Sequence, residues 1–445
     1  MQPAQPMVNA FDASLLPSLP ARAQRQISRR DQLLGPGYRL FYRSPVETVR
    51  GAGTLLFDEA GQDYLDAYNN VASVGHCHPR VVDAVHQQMS TLNTNTRYIQ
   101  ESILTYSEDL LGTLPGELGH VMYTCTGSEA NDLATRVARH YTGNRGVIVT
   151  SNAYHGLTAE VASFSPSLGT GVPVGADVRT IRPPDSLRHG SGAGLGAYLR
   201  EQVRAAIDDL RRHGVGLAAF IADSIFSSDG VYSHPRGFLQ PILEEVRAAG
   251  GLYIADEVQA GFHRTGEAWW GFQRHGIIPD IMTTGKPMGN GIPVAAAVFR
   301  PELIEAFGRD IRYFNTFGGN SVAIAAAQAV LDVIRDERLG DNAREVGDYL
   351  LAELTRVTAP YPQVAEVRGA GLFIGVELVS DPARNTPDGA AALGIVNGLR
   401  ERRVLISASG PRGSVLKLRP PLVFSRADAD RLLEALEAVM KQVLR

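Results

Sequence analysis

Cysteine is scarce. Only Cys77 and Cys125 occur in 445 residues, too few for a disulfide-built extracellular scaffold, so a reducing compartment is expected. Excess charge of either sign is also missing. Lys plus Arg number 43 against 47 Asp plus Glu, a formal net charge of −4. That balance excludes the basic footprint of a nucleic-acid or membrane-surface protein, while leaving room for a local basic pocket. No apolar run reaches the roughly 18 residues that a membrane-crossing helix needs. The most apolar stretch, Val322 to Ile334, is interrupted by Gln328 and Asp332 and reads as a buried helix. The first 30 residues lack the apolar centre of a secretion signal, so a cytoplasmic protein is expected. Within them, Ala21 to Arg30 reads as a basic surface helix and residues 1–20 as poorly ordered.

What is present is a long alternation. Between about residues 80 and 330, helical periodicities are separated by short apolar runs: Gly146 to Thr150, Leu217 to Ala222, Gly251 to Ala255 and Ile281 to Thr284. Runs of this kind are strands of a parallel sheet buried on both faces, which predicts a doubly wound α/β architecture. Short strands joined by glycine turns are expected over 46–67, a Gly- and Ser-rich surface loop over 183–196, and α+β character after residue 335, ending in a helix over 427–444. The expected organisation is an N-terminal segment 1–75 that joins a small domain, a large α/β domain 76–335, and a C-terminal small α+β domain 336–445.

Open α/β sheets bind ligands beyond the C-terminal ends of their strands, and four segments there carry chemistry. Thr124-Cys-Thr-Gly-Ser-Glu-Ala-Asn131 offers a turn with Gly127 and Ser128 opening a helix, a seat for phosphate; the same residues would also serve as an ordinary start capped by Ser128. Asp256 and Glu257 end a strongly apolar strand, where a carboxylate needs a cationic or hydrogen-bonding partner; a structural ion pair is the alternative. Lys286 lies between Gly285 and Pro287 directly after a strand, a setting that lowers the proton affinity of an amine and favours imine chemistry. Pro287, and Asp280 five residues before Gly285, exclude a phosphate-loop lysine. Tyr154-His155-Gly156 brings an aromatic ring to the same edge. A lysine, a carboxylate for a ring nitrogen, a phosphate cup and a stacking ring are together the requirements of pyridoxal 5'-phosphate. Two other motifs carry nothing. Gly369-Ala-Gly371 precedes a strand rather than a helix, so it is no dinucleotide fingerprint. Gly75-His76-Cys77-His78-Pro79 has no second cluster to complete a metal site, and no metal is expected.

These residues resemble the class III aminotransferases, pyridoxal-phosphate enzymes of fold type I, from about Leu34 to the C-terminus. The resemblance is carried by Gly-His-Cys-His-Pro (75–79), Gly-Ser-Glu-Ala-Asn (127–131), Tyr-His-Gly (154–156), Asp-Glu-Val-Gln-Ala-Gly-Phe (256–262), Gly-Lys-Pro-Met-Gly-Asn-Gly (285–291) and Asn-Thr-Phe-Gly-Gly (315–319). It implies that Lys286 is the Schiff-base lysine and that Asp256 binds the pyridine nitrogen. It implies further that Gln259 approaches the ring hydroxyl, Gly127 and Ser128 hold the phosphate, and Tyr154, with His155 beside it, covers the ring. Thr316 would reach the phosphate of the other subunit, which implies a homodimer with shared active sites.

Within the family, Leu-Leu-Gly-Pro (33–36), Asn-Asn-Val-Ala-Ser-Val-Gly (69–75), Leu-Asn-Thr-Asn-Thr-Arg (92–97) and Val-Leu-Lys-Leu-Arg-Pro-Pro-Leu (415–422) are similar to the ethanolamine-phosphate phospho-lyase branch. That likeness implies β-elimination from a small phosphorylated amine, with Arg419, Arg97 and Asn70 as substrate-binding residues. A transaminase passing the amino group to a keto acid is the alternative. Two departures from the family pattern bear on this choice: Asp223-Ser224 stands where many members have Glu-Pro, and His263 precedes Arg264 where glycine is common.

Overall fold

A computed structural model describes residues 7–190 and 192–444. It contains sixteen strands: β1 (Arg50–Ala52), β2 (Leu55–Phe57), β3 (Asp63–Asp66), β4 (His120–Thr124), β5 (Gly146–Thr150), β6 (Val178–Ile181), β7 (Leu217–Asp223), β8 (Leu252–Asp256), β9 (Ile281–Thr284), β10 (Ala295–Phe299), β11 (Val364–Ala370), β12 (Phe373–Asp381), β13 (Thr386–Pro387), β14 (Val404–Leu405), β15 (Ser407–Ser409) and β16 (Val415–Leu418). The largest sheet has seven strands in the order β4-β10-β9-β8-β7-β5-β6. All run parallel except β10, which is antiparallel to both neighbours.

Burial on both faces follows from residue type. Val147, Val149, Ala219, Ile221 and Ile254 point into one apolar layer, packed with Leu133 and Val137 of the helix Gly127–Thr142. The intervening Ile148, Phe220, Ala222, Tyr253 and Ala255 point into the other. Strand period 2 thus divides each run between two cores, and each buried Val or Ile contributes about 1.5–3 kcal/mol.

Two smaller sheets complete the fold. One runs β1-β2-β3-β14, so the N-terminal strands are closed by a parallel strand from near the C-terminus. The other runs β11-β12-β16-β15, with β13 against β12. The expected architecture, a mostly parallel doubly wound sheet with a smaller α+β part built from both ends of the chain, is borne out.

Two local expectations are corrected. The 183–196 segment is not simply loop. Asp185 accepts hydrogen bonds from the N–H groups of Leu187 and Arg188 and starts a helical turn, Ser186–His189, and the helix Ala193–Arg212 begins soon after. Residue 191 lies outside the described residues. Nor is the N-terminal part of the chain without structure: Asp12 caps a 3₁₀ turn, Ala13–Ser18, ahead of the helix Ala21–Leu34. Residues 1–6 lie outside the described residues.

Candidate active site

Strand register assembles the site. Asp223 of β7 is paired with Asp256 of β8, and Asp256 with Thr283 of β9. Three polar side chains therefore end adjacent strands next to the point where the strand order reverses, between β5 and β7. A cavity of about 320 Å³ opens there, with Gly127, Ser128, Tyr154, His155, Asp256, Gln259 and Lys286 all in its wall.

Asp256 is buried and fully engaged. Its Oδ2 lies 2.7 Å from His155 Nδ1 and accepts from Asn131 Nδ2 at 2.9 Å, while Oδ1 accepts the Val258 N–H at 3.1 Å. Asn131 is held in turn by Thr283 Oγ1 at 2.6 Å and donates to the His155 carbonyl at 2.8 Å. The carboxylate is thus fixed in direction by three elements. Asn131 gave no sign of this role in the sequence, although it closes the 127–131 motif. The readable signal is spacing: four residues after Gly127, it lies one helical turn on and on the same face as the helix start.

The helix start is organised differently from the simple alternative. Thr126, not Ser128, is the N-cap. Its hydroxyl accepts from Glu129 N–H, and Glu129 Oε2 accepts the N–H groups of Cys125 and Thr126, a capping box. The N–H groups of Gly127 and Ser128 have no partner among the described residues. Ser128 Oγ is left to accept the Leu157 N–H at 3.0 Å. The chain also closes tightly here. A Cβ on Gly156, which has φ +147°, would lie 2.7 Å from Ser128 Cα, and one on Gly127 would lie 2.8 Å from Val258 Cγ2. Free N–H groups, a helix start and a cradle without side chains fit a phosphate.

Lys286 follows β9 in a loop stitched to the 70–76 segment. Ser73 Oγ donates to the Pro287 carbonyl at 2.8 Å, Asn290 Nδ2 to the Gly75 carbonyl at 2.8 Å, and Val74 N–H to Asn290 Oδ1 at 3.1 Å. The Lys286 ammonium has no hydrogen-bond partner among the described residues. Burial first, and Arg419 second, lower its proton affinity, with Asp256 and Asp223 opposing. An amine so placed is free to bond covalently and to exchange a proton. Tyr154 is half-buried beside it, and burial raises the pKa of its phenol.

Gln259 donates to Ser227 Oγ and accepts from Arg419. Arg419 lies with its guanidinium 4.4 Å from the Tyr68 ring centre. Close by is Lys417, buried, a residue that the sequence motifs do not single out. Its Nζ donates to the Ser227 carbonyl at 3.1 Å, and burial, then Arg419, push its proton affinity far down. The signal for it was period 2: Lys417 and Arg419 alternate with leucines and so share a face of an apolar segment. Arg264, also buried, donates to the Leu372 and Pro420 carbonyls. None of these three cations has a carboxylate within ion-pair distance among the described residues. Asp223 is spent on its own turn instead, accepting from Ile225 N–H at 3.0 Å and Ser227 N–H at 2.9 Å.

The remaining expected residues are placed elsewhere. Asn70 is buried with Oδ1 unpartnered, next to Val71 of the cavity wall but not itself in it. Arg97 is exposed and stacks on Phe314, with its guanidinium 3.7 Å from the ring centre, and Thr316 is exposed nearby. Neither reaches the cavity of its own chain. The two histidines of the 75–79 motif diverge: His76 Nε2 lies 2.8 Å from Asp66 Oδ2 and His78 Nε2 lies 3.1 Å from Glu337 Oε1. No group of three or more His, Cys, Asp or Glu among the described residues is arranged to hold a metal.

Glu257 faces away from the cavity. It accepts the N–H groups of Gly271 (2.6 Å) and Phe272 (2.8 Å) and the Ser224 hydroxyl. Burial outweighs these bonds and raises its pKa to about 7. A carboxyl group whose pKa is higher in the folded than in the unfolded state stabilises the fold fully below the unfolded value, 4.5 here, and loses that contribution as pH rises through 7. Glu257→Gln is therefore expected to shrink the difference in urea midpoint between pH 5 and pH 8. An unchanged difference would exclude Glu257 as its source.

Comparison with known proteins agrees with this geometry. The aminotransferase class-III family profile matches residues 42–440. A Drosophila melanogaster protein described as alanine–glyoxylate aminotransferase 2-like is 42% identical over 434 residues, covering 94% of this chain and 88% of its own. Ethanolamine-phosphate phospho-lyase homolog 1 of Caenorhabditis elegans is 35% identical over 460 residues, 98% of each chain. The solved structure of a phospholyase from Arthrobacter in complex with phosphoethanolamine superposes with a TM-score of 0.90 at 43% identity, covering 94% of this chain and 99% of that one.

Proposed function

Because this chain belongs to the class III aminotransferases, enzymes whose cofactor is pyridoxal phosphate, we propose that it is a phospho-lyase acting on a small phosphorylated primary amine of the phosphoethanolamine kind. The observation that carries this reading is Arg419, buried without a counter-ion and with its Nε unpartnered, beside Arg264 and Lys417. Buried charge without a counter-ion costs several kcal/mol per ion, and such a cluster beside Lys286 is an anion seat awaiting its ligand. A phosphate dianion answers two or three cations better than a single carboxylate does. The likeness to the Arthrobacter phospholyase supports the same reading.

The chain's residues fit the cofactor. Gly127 and Ser128 N–H groups would hold its phosphate, Tyr154 would cover its ring, Gln259 would approach the ring hydroxyl, and Asp256 would hold the ring nitrogen protonated. Bound pyridoxal phosphate supplies an aldehyde carbon for the substrate amine and a ring that accepts an electron pair. Lys286 Nζ then removes the proton from the carbon bearing the amine. Asp256, kept in place by His155 and Asn131, stabilises positive charge on the ring nitrogen. Arg419, whose guanidinium meets Gln259 of the cavity wall, would take up the charge of the phosphate group as its C–O bond breaks. Hydrolysis of the unsaturated amine so formed gives an aldehyde and ammonia. The same reading makes the working unit a homodimer in the cytoplasm, in which the exposed Thr316 and Arg97 face the site of a second copy.

A transaminase is the second reading, favoured by the Drosophila relative's description. Asp223-Ser224 counts against it: where many family members have Glu-Pro, Asp223 is one methylene shorter than glutamate and bound to its own turn, so it is not free to receive an arginine. A panel of phosphorylated amines and ω-amino acids, each with and without pyruvate or 2-oxoglutarate, separates the two. Phosphoethanolamine alone is expected to give inorganic phosphate and ammonia in equal amounts. An absolute requirement for a keto acid would replace the lyase reading with transamination.

A further inference from the structure

Arg264 is 2% exposed, and its guanidinium is bound only by main-chain carbonyls. Burial, and then the charge of Arg419, bring its pKa down to about 9. A neutral glutamine would satisfy such carbonyls at a lower desolvation cost, so the charge calls for a reason. The bonds themselves supply a location. One accepting carbonyl belongs to Pro420, the residue directly after Arg419. The other belongs to Leu372, 3.2 Å away, whose own N–H returns a bond to the Arg264 carbonyl at 3.1 Å. The hairpin between β11 and β12 lies flat against this segment: a Cβ on Gly371 would stand 2.6 Å from the Arg264 carbonyl oxygen.

Arg419 is then held at its main chain and at one edge of its guanidinium, while its buried Nε has no partner among the described residues. Its N–H donates to the Ala67 carbonyl at 3.0 Å, its guanidinium rests on Tyr68, its NH1 meets Gln259, and the next carbonyl along the chain is tied to Arg264. We infer that Arg264 is a positioning residue for substrate recognition: by holding the Pro420 carbonyl it fixes the direction in which Arg419 leaves the chain, and so aims that guanidinium at the anionic end of the amine substrate. Its charge adds to the field that draws the anion in. The inference rests on the anion seat of the proposed function, but not on which anion fills it. It also gives Arg264 a role through Arg419 rather than through contact with substrate.

The test is a double-mutant cycle of Arg264→Gln with Arg419→Ala in the cofactor-loaded enzyme, read as KM and kcat for phosphoethanolamine and as the Kd of inorganic phosphate by calorimetry. Arg264→Gln is expected to raise KM and Kd about 10-fold while kcat at saturation changes less than about 3-fold, the signature of lost binding rather than lost chemistry. In the Arg419→Ala background it is expected to add less than about 2-fold, because the two residues act as one unit. Arg264→Lys, which still reaches one carbonyl, is expected to recover to within about 3-fold of wild type. If the glutamine variant does not fold, Arg264→Met, which fills the same buried space without a donor for the Pro420 carbonyl, carries the cycle by the same criteria.

Unchanged KM and Kd, a fall in kcat alone, or full additivity with Arg419→Ala would overturn the inference. Should phosphoethanolamine be inert and phosphate fail to bind wild type, it is the substrate reading that falls. The same cycle on β-alanine with pyruvate then decides the role of Arg264 by the same criteria.

Discussion

Replacing Lys286 with alanine is expected to leave a folded protein whose turnover of any amine falls at least about 10⁴-fold. Two functions are lost together: the covalent anchor for the cofactor and the base for the substrate's Cα proton, the second alone being worth about 10²–10⁴-fold. The fold loses little, since the ammonium has no hydrogen-bond partner to forfeit and the loop around it is held by Ser73, Asn290 and Val74. Product formation and the thermal midpoint, measured on the same preparation, check both halves. Borohydride reduction followed by peptide mapping is expected to place the cofactor on Lys286 in the wild type. Activity near wild type in the variant, or an adduct on another lysine, would remove the assignment of this side chain.

Glu377→Ala is expected to have the largest effect on stability. Glu377 is 2% exposed in β12 and receives two arginines: Arg188 from the helical turn after Asp185, and Arg368 from β11, each at 2.6 Å. Arg368 also donates to the Gly230 and Val231 carbonyls. One carboxylate therefore fastens the smaller sheet to the loop after β7 and to the Asp185 turn. Removing it leaves each guanidinium with one carboxylate instead of two, Asp185 for Arg188 and Glu366 for Arg368, and strips the buried side of Arg368, 4% exposed at the side chain, for which a loss of about 3 kcal/mol is the expected scale. The urea midpoint should fall accordingly, and a change under about 1 kcal/mol would show that the carboxylates these arginines already hold, Asp185 and Glu366, suffice for them.

Asp256 and Lys286 were legible in the sequence because their signals are local: each follows an apolar run directly, and such runs end where α/β sheets bind ligands. The same locality explains the strands that were found. β10 was not among them, since Ala295-Ala-Ala-Val-Phe has the composition of a helix, and only its place between β4 and β9 makes it a strand. The 183–196 segment was misread for a related reason: its glycines and prolines speak for a loop, and a single Asp185 cap outweighs them. Capping was readable but shifted by two residues, because Thr126-x-x-Glu129 satisfies the box that Ser128 does not.

Lys417 illustrates what a linear reading loses. Its partner carbonyl lies 190 positions earlier, and nothing in the sequence near either residue announces the meeting. Arg97 is a second case. Its residue type suits an anion clamp, and type does not say that in its own chain the guanidinium lies over Phe314, away from the cavity.

The pairing of β14 with β3 imposes an order on biosynthesis. The strands of the central sheet all lie between residues 120 and 299, so a ribosome delivers them in one stretch. The sheet begun by β1, β2 and β3 must wait for a partner more than three hundred residues downstream. At about 5–20 residues per second that delay is tens of seconds, during which the β3 edge stands bare and available to a chaperone or to another nascent copy.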